Sequence, residues 1–231
     1  MSAAPYASLN LGGHVGDLPE AVAENRRRLR AAAGLPAEPW WLTQVHGTNV
    51  IDLDAAADLD AAANRDASGP VGPADAAFTR RRGRVCAILT ADCLPILLAA
   101  DSEDLVAAAH AGWRGLAGGV IEATVKALPV APEKLIAWLG PAIGPGRFEV
   151  GAEVRAALLA GDSGADTAFA ANARERYMAD LSALTRRRLA ALGVGRIYGG
   201  GRCTYAERDR YFSHRRDGMT GRQATLIWLE P

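Results

Sequence analysis

The sequence predicts a layered α/β (α+β) fold: one domain, residues 1–231, with a mixed β-sheet core covered by helices. Three observations carry this. Short apolar runs without clean alternation recur along the chain, as suits strands covered on both faces. Segments with apolar residues at helical spacing lie between them. Strands and helices are interspersed rather than segregated, which favours packed layers. With 231 residues, 49% hydrophobic and 23% charged, the chain fits a single large globular domain. It shows no internal repeat and nothing that reads as an interdomain linker.

The first helix is signalled by Asp17 as a cap, Glu20 three residues on as in a capping box, Pro19 in the first turn and Gly34 as terminator. Residues 40–45 and 50–53 read as strands flanking a turn at Gly47-Thr48-Asn49. Residues 60–73 are small, polar and punctuated by Gly and Pro, and read as a surface loop. Residues 84–89, 95–100 and 105–109 are strand-like apolar runs. Residues 115–128 carry Val120, Ile121, Thr124, Val125 and Leu128 at helical spacing. A strand follows at 135–139, then helices at 152–160 and 178–192, the second closed by Gly193. Strands at 195–198 and 224–229 complete the order.

Lys+Arg and Asp+Glu are both 26, so the formal net charge is zero. This argues against a dedicated nucleic-acid binder, which normally shows a basic excess. No apolar stretch approaches the roughly 20 residues that span a bilayer. The first residues lack a basic segment followed by an apolar one, so no secretory signal is expected. Three cysteines are too few to staple a chain this long, and a reduced, cytoplasmic compartment is the expectation. Of the 26 basic residues only Lys126 and Lys134 are lysine. Together with abundant alanine, this bias reflects a GC-rich coding sequence. The clusters Arg26-Arg27-Arg28, Arg80-Arg81-Arg82 and Arg186-Arg187-Arg188 are therefore read as solvated faces.

Chemistry concentrates in three short segments: Gln44-Val45-His46-Gly47, Thr90-Ala91-Asp92-Cys93-Leu94-Pro95 and His110-Ala111-Gly112-Trp113-Arg114-Gly115. Each places a metal-capable side chain at a strand end or a strand-to-helix turn, where α/β sheets expose functional groups. Two imidazoles and a thiolate suit a borderline-soft divalent metal, with zinc the first choice and an open fourth position. His14 is the spare imidazole that could close the set, but it sits in a Gly-rich loop and reads as solvent-facing. A metal-free alternative stays open: Cys93 as nucleophile, His110 or His46 as its base, and Asp92 or Asp75 as orienter. Cys86 lies inside an apolar strand and reads as core. Cys203 follows Gly199-Gly200-Gly201-Arg202, where a backbone could approach a ligand closely.

The sequence resembles the YfiH-type family, also called the laccase-domain or polyphenol-oxidase-like family, whose bacterial members are described as purine nucleoside phosphorylases. The matching stretches run from end to end. They include Ser8-Leu9-Asn10-Leu11-Gly12 with Gly16-Asp17, Glu24-Asn25-Arg26, Ala74-Asp75-Ala76 and Gly140-Pro141-Ala142-Ile143-Gly144-Pro145 besides the three segments above. Phe148-Glu149-Val150-Gly151, Cys203-Thr204, Phe212-Ser213 with Arg215-Arg216, and Gly221-Arg222 complete the set. One departure is Phe148, where the family's Tyr is expected. The resemblance implies a metal held by His46, Cys93 and His110, with zinc expected and copper as an adventitious substitute. It implies purine nucleosides and phosphate as partners: phosphorolysis of adenosine, inosine, guanosine and methylthioadenosine, with deamination of adenosine to inosine. Editing of peptidoglycan precursors is a further reported role and ranks lower.

True laccase chemistry conflicts with arithmetic. A multicopper oxidase needs a trinuclear cluster fed largely by paired histidines, and four histidines with no His-x-His cannot supply it. A lone His2Cys copper would give at most slow polyphenol oxidation. Phosphorolysis requires an anion site, for which Arg114 with the helix start at Gly115, Arg26, and Arg215, Arg216 and Arg222 are candidates. Deamination requires an activated water at the purine C6. The usual His-x-Glu with Pro-Cys-x-x-Cys signature is absent, so Asp92 or Asp75 would take part in proton transfer. Asn10 and Asp17 are candidate substrate contacts. A non-catalytic purine-sensing module with a structural metal is the reading from another class, which a closed coordination shell would favour.

Overall fold

The apolar runs become the strands of two sheets packed face to face. The computed structural model describes residues 1–56 and 71–231. In chain order the strands are β1 (Trp40–Thr43), β2 (Val50–Asp52), β3 (Val71–Pro73), β4 (Ala76–Thr79), β5 (Val85–Thr90), β6 (Leu94–Ala100), β7 (Val106–Ala111), β8 (Leu135–Leu139), β9 (Glu149–Val150), β10 (Phe169–Ala171), β11 (Tyr177–Ala179), β12 (Arg196–Gly199) and β13 (Gln223–Trp228). The helices are α1 (Pro19–Ala33), α2 (Trp113–Gly118), α3 (Val120–Ala127), α4 (Ala152–Leu159), α5 (Leu181–Ala191) and the short α6 (His214–Asp217). One sheet has the order β13-β5-β1-β3, the second β12-β8-β6-β7-β4-β2, and a small third sheet β10-β11-β9.

Burial explains the layering. Ala77, Cys86, Ile88, Ala108 and Leu42 interdigitate between the two large sheets. Every residue of β5 and β7 is buried, as runs without alternation predict. The opposite face of the six-stranded sheet (Ala107, Ala109, Ile96, Leu98) packs on Leu116, Ile121, Val125, Leu158 and Leu184 of the helices. Fully burying one such Leu or Ile contributes about 1.5–3 kcal/mol. On the outer face of the four-stranded sheet, Trp41, Ala87 and Leu89 meet Leu11 and Leu29 of α1. The mixed, helix-covered architecture expected from the sequence is present, with a second sheet that periodicity alone did not separate from the first.

Several boundaries differ for identifiable reasons. Asp17 does not cap α1. The N-cap is Leu18, with no side-chain cap, because the Asp17 carboxylate accepts from Asn10 Nδ2 at 2.9 Å and from the Ser2 hydroxyl. Gly34 does end the helix, at φ 61°. The helix expected over 115–128 is split by Gly119, whose φ of 94° closes α2 and opens α3. The segment expected as one helix over 178–192 begins with β11. Asp180 then caps α5, accepting from the Ala183 amide at 2.9 Å. Within the loop expected over 60–73, residues 71–73 form β3 beside β1; residues 60–70 lie outside the described ones.

The connections decide where the chemistry sits. β1 and β2 are not a hairpin: β1 belongs to the four-stranded sheet and β2 to the six-stranded one. The same holds for β3 and β4, and for β5 and β6. Because β1, β3 and β5 run parallel, all three crossovers leave the first sheet at one end and enter the second there. Among the described residues, no helix is long and apolar enough to cross a membrane.

Candidate metal centre

The three crossovers bring together the side chains that the sequence left 47 and 17 residues apart. The β1–β2 crossover carries His46, β3–β4 carries Asp75, and β5–β6 carries Cys93. β7 runs antiparallel to β6 with His110 opposite Pro95, two residues beyond Cys93. His46, Cys93 and His110 offer ligand atoms that all lie within 4.8 Å of one another. Cys93 Sγ is 3.9 Å from His46 Nε2, and the two imidazoles meet edge to face at 4.8 Å between centroids. His46 (φ 59°) and Asp92 (φ 94°) both hold left-handed backbone, a conformation non-glycine residues adopt rarely and chiefly where a site demands it.

Asp75 organises the group from behind. Its fully buried carboxylate accepts from the amides of Val45 at 3.1 Å, His46 at 3.0 Å and Gly47 at 2.6 Å, and from His110 Nδ1 at 2.8 Å. The Asp75–Nδ1 contact leaves His110 Nε2 free to act as a ligand atom, the carboxylate–histidine pairing common behind metal sites. Burial opposes ionisation of Asp75, but the His110 ring and the Gly47 and Val45 amides outweigh it and hold the carboxyl below its ordinary range. Burial alone would raise the Cys93 thiol; His110 and His46 instead bring it down to about 6. Burial disfavours the His110 cation, yet Cys93 and Asp75 lift its pKa to about 9. The pocket thus favours a thiolate at neutral pH, the form that binds metal.

The donor set fits a metal, and so does the space. Gly112 begins the turn into α2, and a Cβ added there would lie 2.9 Å from Cys93 Sγ and 3.0 Å from His46 Cδ2. Its φ of −69° and ψ of 162° suit any residue, so only the neighbouring ligands require glycine. Gly112→Ala should therefore fold normally while losing metal. Elemental analysis and thermal unfolding of the purified variant check this, and a wild-type metal content would contradict it.

The other expected site residues separate into two groups. Asn10 is buried, with both Nδ2 hydrogens and both Oδ1 acceptor positions used by Gly12, Asp17 and Arg222. Arg216 donates to the carbonyls of Thr204, Tyr205 and Tyr211 and to Asp217. Asp75 is likewise saturated. Asn10 and Arg216, expected as substrate contacts, and Asp75, expected as a substrate contact or as orienter of the histidines, have their polar atoms in hydrogen bonds within the protein. Asp92 is buried and ties two segments together, accepting from Thr204 Oγ1 at 2.6 Å and the Arg215 amide at 2.7 Å. Asp17 keeps an open edge. Arg114 lies exposed over the Trp113 ring at 4.5 Å. Arg215 lies over Phe148 at 5.5 Å and donates to the Glu149 carbonyl, so Phe148 is a buried platform.

Cys86 is core, its thiol pushed up to about 12 by burial and then by Asp54. Cys203 packs on the Gly144 backbone, accepting its amide at 3.2 Å. His14 is not among the clustered ligands, yet burial of its ring, then Arg222, Arg26, His110 and His46, lower its pKa. Its residue is exposed, as the reading of a solvent-facing loop expected, on the side of the centre that these groups share.

Comparison with known proteins agrees over the whole chain. A sequence model of the family described as multi-copper polyphenol oxidoreductase laccase matches residues 1–230. The Escherichia coli K12 protein named purine nucleoside phosphorylase YfiH is 51% identical over 229 residues, 99% of this chain and 89% of the relative. A Pseudomonas aeruginosa protein named purine nucleoside phosphorylase is 49% identical over 231 residues, 100% of this chain and 89% of its own. Among solved structures, a Neisseria meningitidis protein superposes with TM-score 0.90 at 47% identity, covering 100% of this chain and 90% of that one. YlmD from Geobacillus stearothermophilus gives 0.89 at 36% identity, covering 100% and 88%. The chain belongs to the multi-copper polyphenol oxidoreductase laccase family, alongside the proteins named YfiH.

Proposed function

We propose that the whole chain, 1–231, is a zinc-dependent purine nucleoside phosphorylase acting on adenosine, inosine, guanosine and methylthioadenosine, with a slower adenosine deaminase activity. The observation that carries this reading is the His46–Cys93–His110 cluster at the mouth of the sheet crossovers, in a chain about half identical to proteins named for that activity. His46, Cys93 and His110 would hold the ion. Zinc in that set would supply Lewis-acid polarisation with a position left for substrate.

The chain's own groups have separate tasks. In phosphorolysis a phosphate oxygen forms a bond to the ribosyl C1′ as the C1′–N9 bond breaks; the electron pair leaves with the purine, which takes up a proton. The protein must hold the anion, and the basic residues around the centre suit this. Asp75 fixes His110 through Nδ1 and shapes the turn bearing His46. Asp92 fastens the Thr204 and Arg215 segments to the turn bearing Cys93. An oxidase of the multicopper kind is disfavoured by four histidines in the whole chain.

Product analysis decides between chemistries. Adenosine should yield adenine and ribose 1-phosphate only when phosphate is added, with inosine a minor product that does not depend on it. Equal loss of adenosine with and without phosphate, yielding inosine alone, would replace phosphorolysis by deamination. Oxygen consumption with a phenol and no reaction of adenosine would favour the oxidase.

A further inference from the structure

Most of the arginines pair with a carboxylate, largely at the surface. Arg27 and Arg28 pair with Glu24, Arg80 with Asp52 and Asp54, Arg82 with Asp104, Arg187 with Asp162, and Arg188 with Glu122. Three half-buried guanidinium groups differ: Arg186, spent on the Ile197 and Gly199 carbonyls of the edge strand β12, and Arg26 and Arg222 on the loops that lead to the metal centre. Among the described residues, no ion pair joins Arg26 or Arg222 to a carboxylate. Arg26 uses Nε and one terminal nitrogen on a single acceptor, the Leu11 carbonyl, at 3.0 and 2.9 Å, and lies 4.1 Å over the Trp41 ring. Arg222 donates from one terminal nitrogen to the carbonyls of Thr220 and Gly221, both at 2.9 Å. A cation withdrawn from water without a counter-charge is costly, and such groups beside a reactive centre mark sites that expect an anion.

Register places Arg222 beside the metal centre, and the Leu11 carbonyl ties Arg26 to the same loop. β13 runs antiparallel to β5 with Gln223 opposite Thr90. Arg222, immediately before β13, therefore sits at the end of β5 from which the Cys93 turn departs. The Leu11 amide donates to the Arg222 carbonyl at 3.0 Å, and the Arg222 stem covers Gly12, where an added Cβ would meet its Cγ at 2.8 Å. Arg26 is bound to the same Leu11. The 11–14 loop thus ties the two arginines together and carries His14 beside them. Of the nearby carboxylates, Asp92 accepts from Thr204 and the Arg215 amide and Glu38 from Trp41 Nε1, and among the described residues neither makes an ion pair with the two guanidinium groups. The Arg222 and Arg26 pKa values are lowered first by burial, and an anion would relieve that cost. By contrast, α2 has six residues, and Arg114 is exposed.

We infer that Arg222 and Arg26, with His14 as a third donor, form an oxyanion site at the rim of the metal centre, and that its ligand is the phosphate used in phosphorolysis. The assignment rests on the proposed phosphorylase reading for the identity of the anion, and on the two unpaired guanidinium groups for its place. It moves the anion clamp away from Arg114 and the start of α2.

The test measures inorganic phosphate binding to metal-replete protein by calorimetry, alongside the phosphate KM with adenosine. Arg222→Gln retains the backbone amide that holds Asn10 and removes the charge. His14→Ala removes the third donor, and Arg30→Ala removes an exposed charge from α1 as a control. Arg222→Gln should weaken phosphate binding at least tenfold and His14→Ala several-fold, with metal content and melting temperature unchanged; Arg30→Ala should match wild type. Wild-type phosphate affinity in both Arg222→Gln and His14→Ala overturns the site, as does absence of phosphate binding to the wild-type protein at millimolar concentration. Phosphate binding that depends on Arg222, in a protein that does not phosphorolyse adenosine, upholds the anion site and removes the phosphorylase reading. Phosphorolysis with an unchanged phosphate KM in the variants does the reverse.

Discussion

Cys93→Ala should purify folded, nearly metal-free and inactive. Cys93 supplies the only thiolate in the cluster, at a partly exposed turn rather than in the core. Removing one side chain there should cost no more than the usual 0.5–3 kcal/mol or so. Loss of a ligand should exceed the roughly 10–100-fold loss of metal affinity that accompanies removal of a ligand's hydrogen-bonding partner. Turnover should fall at least in proportion. Chelation gives an independent readout. A metal that binds only the native state stabilises it by about 2.7 kcal/mol at a hundred times its Kd. The wild-type melting temperature should therefore drop on addition of a chelator, while that of Cys93→Ala should not respond. Full metal occupancy in a Cys93→Ala, His110→Ala double variant would remove these residues as ligands. Wild-type activity in folded Cys93→Ala would remove both the metal and the nucleophile readings of the thiol.

The fold was legible where burial is one-sided or complete. β5, β6 and β7 were readable as apolar runs because both faces of their sheets are covered, and β8 as a short apolar run although its outer face carries the exposed Trp138. α1 was readable from Pro19 and Gly34, although its cap was not, because tertiary hydrogen bonds from Ser2 and Asn10 draw Asp17 away. β4 escaped detection: its Ala-Ala-Phe-Thr sequence is wholly buried, but small residues carry little strand signal, and they are there to let the sheets approach. The partition into two sheets is a property of pairing between distant segments. Neither the period of the residues nor the turn at 47–49 reveals that β1 and β2 part company.

The three clustered side chains of the candidate centre were legible as residue types at strand ends, and their support was not. His46, Cys93 and His110 stand at positions where a metal-capable side chain is conspicuous. Asn10, Asp75 and Arg216 look the same in sequence as residues that touch substrate, because a polar side chain in a Gly-rich loop reads identically whether it faces solvent or a buried amide. Only the partners distinguish them. The arginine bias hid Arg222 and Arg26 in the same way: what sets them apart is partial burial on the loops around the His46–Cys93–His110 cluster with no carboxylate at ion-pair distance among the described residues. Gly112 carried a signal that could have been read, a glycine two residues after a candidate ligand, but not the reason for it.

Asp75 separates a metal-supporting role from a merely structural one. Its two oxygens accept four hydrogen bonds, joining the His46 turn to the His110 ring. In Asp75→Ala these donors are orphaned in the interior at about 1–3 kcal/mol each, a sum comparable with the roughly 5–15 kcal/mol that holds a typical domain together. That variant should express poorly, and it says little about the metal. Asp75→Asn is the informative change. Its Oδ1 can still accept from His110 and His46, while its amide faces the Val45 and Gly47 amides, donor against donor. Metal affinity, measured by competition with a chromogenic chelator, should fall by about 10–100-fold, and the absorption bands of the cobalt-substituted protein should shift as the His46 turn moves. The acid limb of stability should change too. Asp75 has a depressed pKa in the native state, so its contribution is complete above the unfolded-state value near 4 and is lost as pH falls through the lower, native one. Asp75→Asn should lose that part of the pH dependence and unfold with a flatter profile below about pH 4. An Asp75→Asn protein with wild-type metal affinity and an unchanged cobalt spectrum would show that the carboxylate braces the loops without setting the ligands, and the positioning role would have to be withdrawn.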